Sequence, residues 1–112
     1  MSSNQLIKGT LQTIILKLLE DNKQMYGYEI TRKVKETTSG EILLTEGALY
    51  PALHKLEADG LLETHTQVVD NRVRKYYALT EKGGKEVTSK IDEAQAFMDH
   101  LQLLLNLKPG LQ

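Results

Sequence analysis

Between Val87 and Leu105 the apolar residues Val87, Ile91, Ala94, Met98, Leu101 and Leu105 step by four, three, four, three and four. That is the spacing of a helix seam packed against another helix, and Phe97 and Leu104 widen it. The chain has 112 residues, room for one small domain and this one long helix. A domain of about 80 residues that ends before the seam cannot cover all of it. The seam therefore predicts a second copy of the chain, a homodimer joined through its last helix. Thr80 supplies a cap for that helix, which opens with "TEKGGKEV" despite its paired glycines and is expected to run to about Leu107, before Pro109-Gly110.

The rest of the chain is punctuated by equally local signals. From Gln5 to Glu20, Ile7, Leu11, Ile14 and Leu18 repeat at helical spacing, with Ile15 and Leu19 widening the stripe. After "DNKQ", the run "MYGYEITRKVKETTSG" reads as a second helix with Ile30 and Val34 inward, stopped by Ser39-Gly40. "EILL" is too short for a helix and is expected to be a brief strand. The stretch "TEGALYPALHKLEADG" is a third helix: Thr45 caps it, Glu46 suits its positive end, and Gly60 suits a left-handed stop. Leu49, Leu53 and Leu56 form its buried stripe. Pro51 removes one amide hydrogen bond and crowds the carbonyl of Gly47, so a bend or an irregular first turn is expected. "LLETHTQV" and "VRKYYALT" read as an antiparallel hairpin that turns at Asp70 and Asn71. With a period of two, Tyr77 and Leu79 face inward, whereas Arg74, Tyr76 and Ala78 share the outer face.

Net charge is close to zero, but it is unevenly spread. From Asp70 to Lys85 there are five bases (Arg72, Arg74, Lys75, Lys82, Lys85) against Asp70 and Glu81, or +3; from Glu86 onward two bases oppose four acids, or −2. The hairpin is thus the basic part of the chain, as a nucleic-acid contact requires and as a solvated hairpin would also show. The absence of cysteine excludes a disulfide framework and thiolate metal sites. His54, His65 and His100 are scattered without ligand spacing, and no nucleophile motif or phosphate loop is present. We expect no enzyme activity, no cofactor and no metal. The N-terminal "MSSNQLIKGT" lacks the pattern of a signal peptide, no apolar run reaches membrane-spanning length, and a cytoplasmic protein without membrane contact is expected.

Helix, helix, short strand, helix, hairpin, long helix is the order of a winged helix-turn-helix with an added dimerisation helix: mainly α with a small β-hairpin. Residues 1–80 would form the DNA-binding domain and residues 81–112 the dimerisation helix. In that architecture the third helix enters the major groove by its N-terminus, and a basic hairpin tip reaches the neighbouring backbone. Small Gly47 and Ala48 beside Pro51 would let the helix end approach the duplex closely, with Tyr50 and Lys55 reaching phosphates. Because Glu46, Glu57 and Asp59 outnumber Lys55, Arg72, Arg74 and Lys75 of the wing must supply more of the attraction.

At "YGYEI" (Tyr26 to Ile30), "TEGALYPALHKLEADGLL" (Thr45 to Leu62) and "RKYYALTEKGG" (Arg74 to Gly84), the sequence resembles the PadR family of bacterial transcriptional regulators, and by length its short subfamily with a single C-terminal helix. The resemblance implies a homodimeric repressor of a pseudo-palindromic operator. Its dimer interface would join the first helix, with Ile7, Leu11 and Ile14, to the last. Its Tyr26, Tyr50 and Lys55 match positions that commonly touch DNA; with those expected from the architecture, the candidate DNA contacts are Tyr26, Thr45, Glu46, Gly47, Ala48, Tyr50, Pro51, His54, Lys55, Arg72, Arg74, Lys75 and Tyr76. The tip "VDNRVRKYY" departs from the Gly-Arg-Pro tip common in relatives, and Ala78 stands where a base is frequent, which weighs against the wing rather than the helix. Some short members hold flat aromatic molecules between the last helices with a tryptophan. This chain has none, and a closed seam is the favoured reading over an opening lined by Phe97 and Met98 for a small hydrophobic effector. The competing function is a winged-helix module that docks a protein through the same hairpin without binding DNA.

Overall fold

A computed structural model describes residues 3–107. The first helix of the sequence pattern is divided: α1 (Ser3–Ile7) is followed by a 3-10 turn (Lys8–Thr10) and then α2 (Leu11–Asp21). Thr10 hydroxyl donates to the Ile7 carbonyl at 3.1 Å, a local bond that competes with the continuous helix expected from Gln5 to Glu20. Next come β1 (Met25–Tyr26), α3 (Gly27–Thr37), α4 (Glu46–Ala58), β2 (Leu62–Val69), β3 (Arg72–Leu79) and α5 (Glu81–Leu105). Ser39 and Gly40, both at positive φ, end α3, and the Gly40 amide donates back to Lys35 at 2.7 Å.

The expected strand at "EILL" does not form; residues 42–45 are an irregular connection. Its Ile42 amide donates to Thr38 Oγ1 at 3.0 Å, and Leu44 is buried in the core. The sheet takes its third strand from Met25–Tyr26 instead, a pair the helical pattern had absorbed into the second helix. Among the described residues the strand order is β1-β3-β2, fully antiparallel, with Met25 opposite Tyr77 and Tyr26 opposite Tyr76. Asp70 and Asn71, with φ of 52° and 63°, form the two-residue turn between Val69 and Arg72. Positive φ at both central positions is the hairpin turn whose twist matches its strands, which is why Asp-Asn suits it.

The core joins α2, α3, α4 and the inner sheet face around fully buried Ile15, Leu16, Ile30, Leu49, Leu53, Leu56 and Tyr77. Helix α4 continues through Pro51, and the amides of Ala48 and Leu49 share the Thr45 carbonyl at 3.2 and 3.0 Å, as is common at helix starts. Helix α5 begins inside this core, where Val87 is 1% exposed, and leaves it lower down. It ends earlier than expected, at Asn106 in the left-handed conformation; Pro109-Gly110 lie outside the described residues.

A single junction aims α5. Thr80 hydroxyl donates to the Gly60 carbonyl at 2.6 Å and accepts from the Gly83 amide at 3.0 Å, while Thr80 amide reaches the Leu61 carbonyl at 3.1 Å. Gly83 lies so close to Leu61 that a Cβ would overlap the Leu61 carbonyl, whereas a Cβ on Gly84 would meet open space. The paired glycines therefore play different parts. Gly83→Ala should destabilise the protein by about 1–3 kcal/mol through overpacking. Gly84→Ala should stabilise it by up to about 1 kcal/mol through helix propensity. Urea unfolding of the two variants side by side measures both signs.

Candidate nucleic-acid interface

The capped first turn of α4 is exposed at Thr45, Glu46, Gly47 and Pro51 and half-buried at Ala48 and Tyr50. Thr45 Oγ1 accepts from the Ala48 amide at 3.2 Å. A Cβ on Gly47 would find nothing nearer than Thr45 Oγ1 at 4.0 Å, so the fold does not demand a glycine there. Gly47, Ala48, Pro51 and Ala52 line one side of a groove of about 620 Å³, with Gln5, Lys8, Leu11 and Gln12 opposite. His54 is exposed, its ring 6.3 Å from that of Tyr50. Lys55 is also exposed but lies 3.2 Å from the Asp59 carboxylate, one turn on. The helix thus offers a small, polar end whose lysine already has an acidic neighbour.

The positive charge sits on the sheet and on α3. Strand register puts Arg72 opposite Val69, Arg74 opposite Gln67, and Lys75 opposite Thr66. Alternation then places Arg72 and Arg74 on the outer face with Tyr76, and Lys75 on the inner face, 5.5 Å from the Tyr77 ring. The wing bases that cluster in sequence are therefore divided between two faces. Tyr77 itself is buried in the core, and that burial raises its phenol pKa above the ordinary value.

On the outer face the rings and guanidinium groups form one connected strip. Arg74 lies over the Tyr26 ring, 4.6 Å from its centroid. Tyr26 meets Tyr76 edge-on at 5.4 Å, and Tyr76 stacks on His65 of β2 at 5.9 Å. Tyr26 also stacks with Tyr28 at 6.5 Å, and Arg32 lies 5.6 Å from the Tyr28 ring. Cation–π contacts of this kind hold a guanidinium in place without neutralising it. The Arg74 pKa is raised, chiefly by its side-chain hydrogen bond with Tyr76, so its charge is retained. Tyr76 shares the outer face as expected, but these neighbours cover it and leave it 9% exposed. Tyr28, Arg32 and His65 were not foreseen. Tyr28 and Arg32 are four apart on one helix face, a spacing that could have revealed their contact.

Strip and recognition turn meet at Tyr26. The Tyr26 amide donates to Glu29 Oε1 at 3.1 Å, capping α3 from within. The next residue, Gly27, lies directly against the Tyr50 side chain of α4.

The expected dimer residues separate into three groups. Ile7 and Leu11, expected there from the resemblance, are 8% and 3% exposed, and with Val87 of the seam they are packed inside the protomer, where their side chains are not available to a partner. The reason is that α2 crosses α5 and each covers the other's inner face. Ile14, Ile91 and Ala94 are half-buried. Beyond them the helix stands clear: Phe97 is 57% exposed, Met98 50%, Leu101 37% and Leu105 58%. Phe97 lines a cleft of about 420 Å³ with Leu6, Thr10, Thr13 and Ala94, and Met98 is not part of its lining. Among the described residues no group of three or more His, Asp or Glu side chains could hold a metal ion, and no helix is long and apolar enough to cross a membrane.

With Tyr76 at the centre of the strip, Tyr76→Ala should remove about 3–5 kcal/mol of stability, as for other buried aromatics. Tyr76→Phe, which keeps the ring and loses the hydroxyl, should cost no more than about 1–2 kcal/mol. Thermal denaturation of both variants tests whether the ring or the hydroxyl dominates.

Comparison with known proteins places this geometry. The pattern described as the transcriptional regulator PadR-like family matches residues 15–89. Among solved structures, a transcriptional regulator from Clostridium thermocellum is 30% identical, with a TM-score of 0.78 over 91% of this chain and 95% of that one. A PadR family transcriptional regulator from Eggerthella lenta is 26% identical, with a TM-score of 0.76 over 93% of this chain and 88% of that one. Bacillus subtilis PadR, solved in complex with operator DNA, is 29% identical, with a TM-score of 0.64 over 72% of this chain and 46% of that one.

Proposed function

This chain belongs to the PadR-like family of transcriptional regulators, and on that premise we propose that it is a homodimeric repressor that binds a pseudo-palindromic operator with α4 and the wing. The observation that carries the DNA reading is the meeting of three elements in one surface: the capped turn of α4 with Tyr50, the start of α3 at Tyr26 and Gly27, and Arg74 of β3 over the Tyr26 ring. The operator complex of the Bacillus subtilis relative supports a DNA partner. In this reading the open first turn, Thr45 to Ala48, approaches base edges, and Pro51 and His54 lie beside it. Arg72, Arg74 and Lys75 supply the phosphate attraction that α4, with its paired Lys55, does not.

The dimer rests on the free end of α5. Met98, Leu101 and Leu105 continue the seam, and Leu103, Leu104 and Leu107, at 77%, 78% and 57% exposure, make that end apolar on nearly every side. A helix end of that kind is stable when surrounded by another subunit. Ile91, Ala94, Phe97 and the exposed Leu6 of α1 border the same region and extend the partner surface. Residues 1–80 then serve as the DNA-binding part and residues 81–112 as the dimerisation part, with the first turns of α5 built into the winged-helix core. A small hydrophobic effector, if one releases the operator, would enter by the Phe97 cleft.

Fragments selected from genomic DNA by the purified protein should share a two-fold symmetric sequence; recovery of unrelated sequences only would reject operator recognition. Binding should weaken steeply with salt, and Arg74→Ala should reduce the magnitude of the log-affinity against log-salt slope by about 0.9, the signature of one phosphate contact. A salt-insensitive affinity for a protein partner, with no DNA bound, would favour the winged-helix docking module instead. For the dimer, Met98→Asp with Leu101→Asp should give monomers in sedimentation while the fold persists, because both side chains stand outside the protomer core. An unchanged dimer would place the interface elsewhere.

A further inference from the structure

Gly27 is buried at the start of α3, outside the left-handed region of backbone space. Conformational freedom is therefore not what requires glycine there. The requirement is room. A Cβ on Gly27 would overlap the Tyr50 hydroxyl and lie 2.8 Å from Tyr50 Cζ and 3.2 Å from Cε1. Ring atoms of a half-buried tyrosine cannot yield by that much without the whole side chain turning away. Tyr50 is packed against the hydrophobic core, so it has little room to move inward.

We propose that Gly27 is a positioning residue for DNA binding: by lacking a side chain it seats Tyr50 of the recognition helix against the start of α3, beside Tyr26, so that Tyr50 and the Arg74-bearing Tyr26 present one continuous face to the phosphate backbone. This rests on the reading that α4 and the wing meet DNA. The two sides of that face come from elements with no covalent connection nearby, α4 on one side and the β1–α3 corner with β3 on the other. Phosphates along one strand are spaced regularly, so contacts that stand on separate elements are useful only if their relative placement is held. The contact of Tyr50 with Gly27 holds it. The hydroxyl tip of Tyr50 lies at the corner, where it can donate to a phosphate oxygen while its ring remains anchored.

The test is a double-mutant cycle on Gly27→Ala and Tyr50→Ala, read both as urea-unfolding stability and as affinity for a labelled double-stranded DNA of mixed sequence at fixed low salt. Gly27→Ala alone should destabilise or unfold the chain. Adding Tyr50→Ala should restore the stability of the Tyr50→Ala single variant, because the added methyl then fills vacated space. Affinity should behave differently: Tyr50→Ala should lose about tenfold, the scale of one charged hydrogen bond, and the refolded double variant should remain at that lowered level. If Tyr50 did not meet DNA, the refolded double variant and the folded Tyr50→Ala variant would bind as wild type; if Gly27 served folding alone, the fraction of Gly27→Ala protein that stays folded would bind as wild type; either result overturns the proposal. A double variant that stays unfolded also overturns it, since the clash would not be with Tyr50. Failure of the functional reading is seen separately, as wild-type protein that binds no DNA at any salt, and it removes the proposal as well.

Discussion

Leu61 has a backbone approached from three directions. Its amide donates to the Leu56 carbonyl at 2.9 Å, closing α4; its carbonyl accepts from Thr80, closing the hairpin; and Gly83 packs against it, opening α5. Gly60, at φ +79°, turns the chain into this position, and Lys82 Nζ adds a bond to the Asp59 carbonyl at 3.0 Å. Recognition helix, wing and long helix thus share one fixed point. A change in how closely α5 can approach it would alter the direction of all the apolar residues beyond Ile91. In the proposed dimer the angle between the two copies' winged-helix domains would change with it, and with that the operator spacing they could span.

Charge and shape are divided between elements in a way that suits the reading of DNA. The exposed turn of α4 is small and acidic at its start, where Glu46 favours the helix dipole but opposes phosphates. The outer sheet face carries the Arg74 guanidinium held over the Tyr26 ring, and there the cost of ordering a long side chain is met within the free protein. In the proposed reading, affinity and base recognition would belong to different surfaces. The contact of Tyr50 with Gly27 is where they are joined.

Features governed by near neighbours were legible in the sequence. The Thr45 and Thr80 caps, the turn at Asp70 and Asn71, the stop at Gly60 and the leucine stripe of α4 follow from side chains acting on backbone groups a few residues away. The third strand was not, because two residues, Met25 and Tyr26, carry no periodicity of their own and are extended only by pairing with distant Tyr77 and Tyr76. "EILL" has the composition of a strand but joins no ladder of the sheet, and its Leu44 is buried in the core instead. The residues proposed to meet DNA were named from the resemblance and the expected architecture. Their linkage through His65 and Gly27 could not be, since nothing local distinguishes a glycine that makes room from one that merely begins a helix.

The heptad seam shows the same division most plainly. Its spacing determined that α5 would be amphipathic and too long for its own domain, a consequence of helical geometry that holds in any surroundings. Only the tertiary structure decided where along the seam the protomer ends: α2 packs on α5 and encloses Val87, and the apolar side chains of the helix past Ala94 stand largely exposed. Periodicity specifies which side of a helix is apolar. What covers that side depends on the chain's path through space, because burial is a property of surfaces brought together and not of either surface alone.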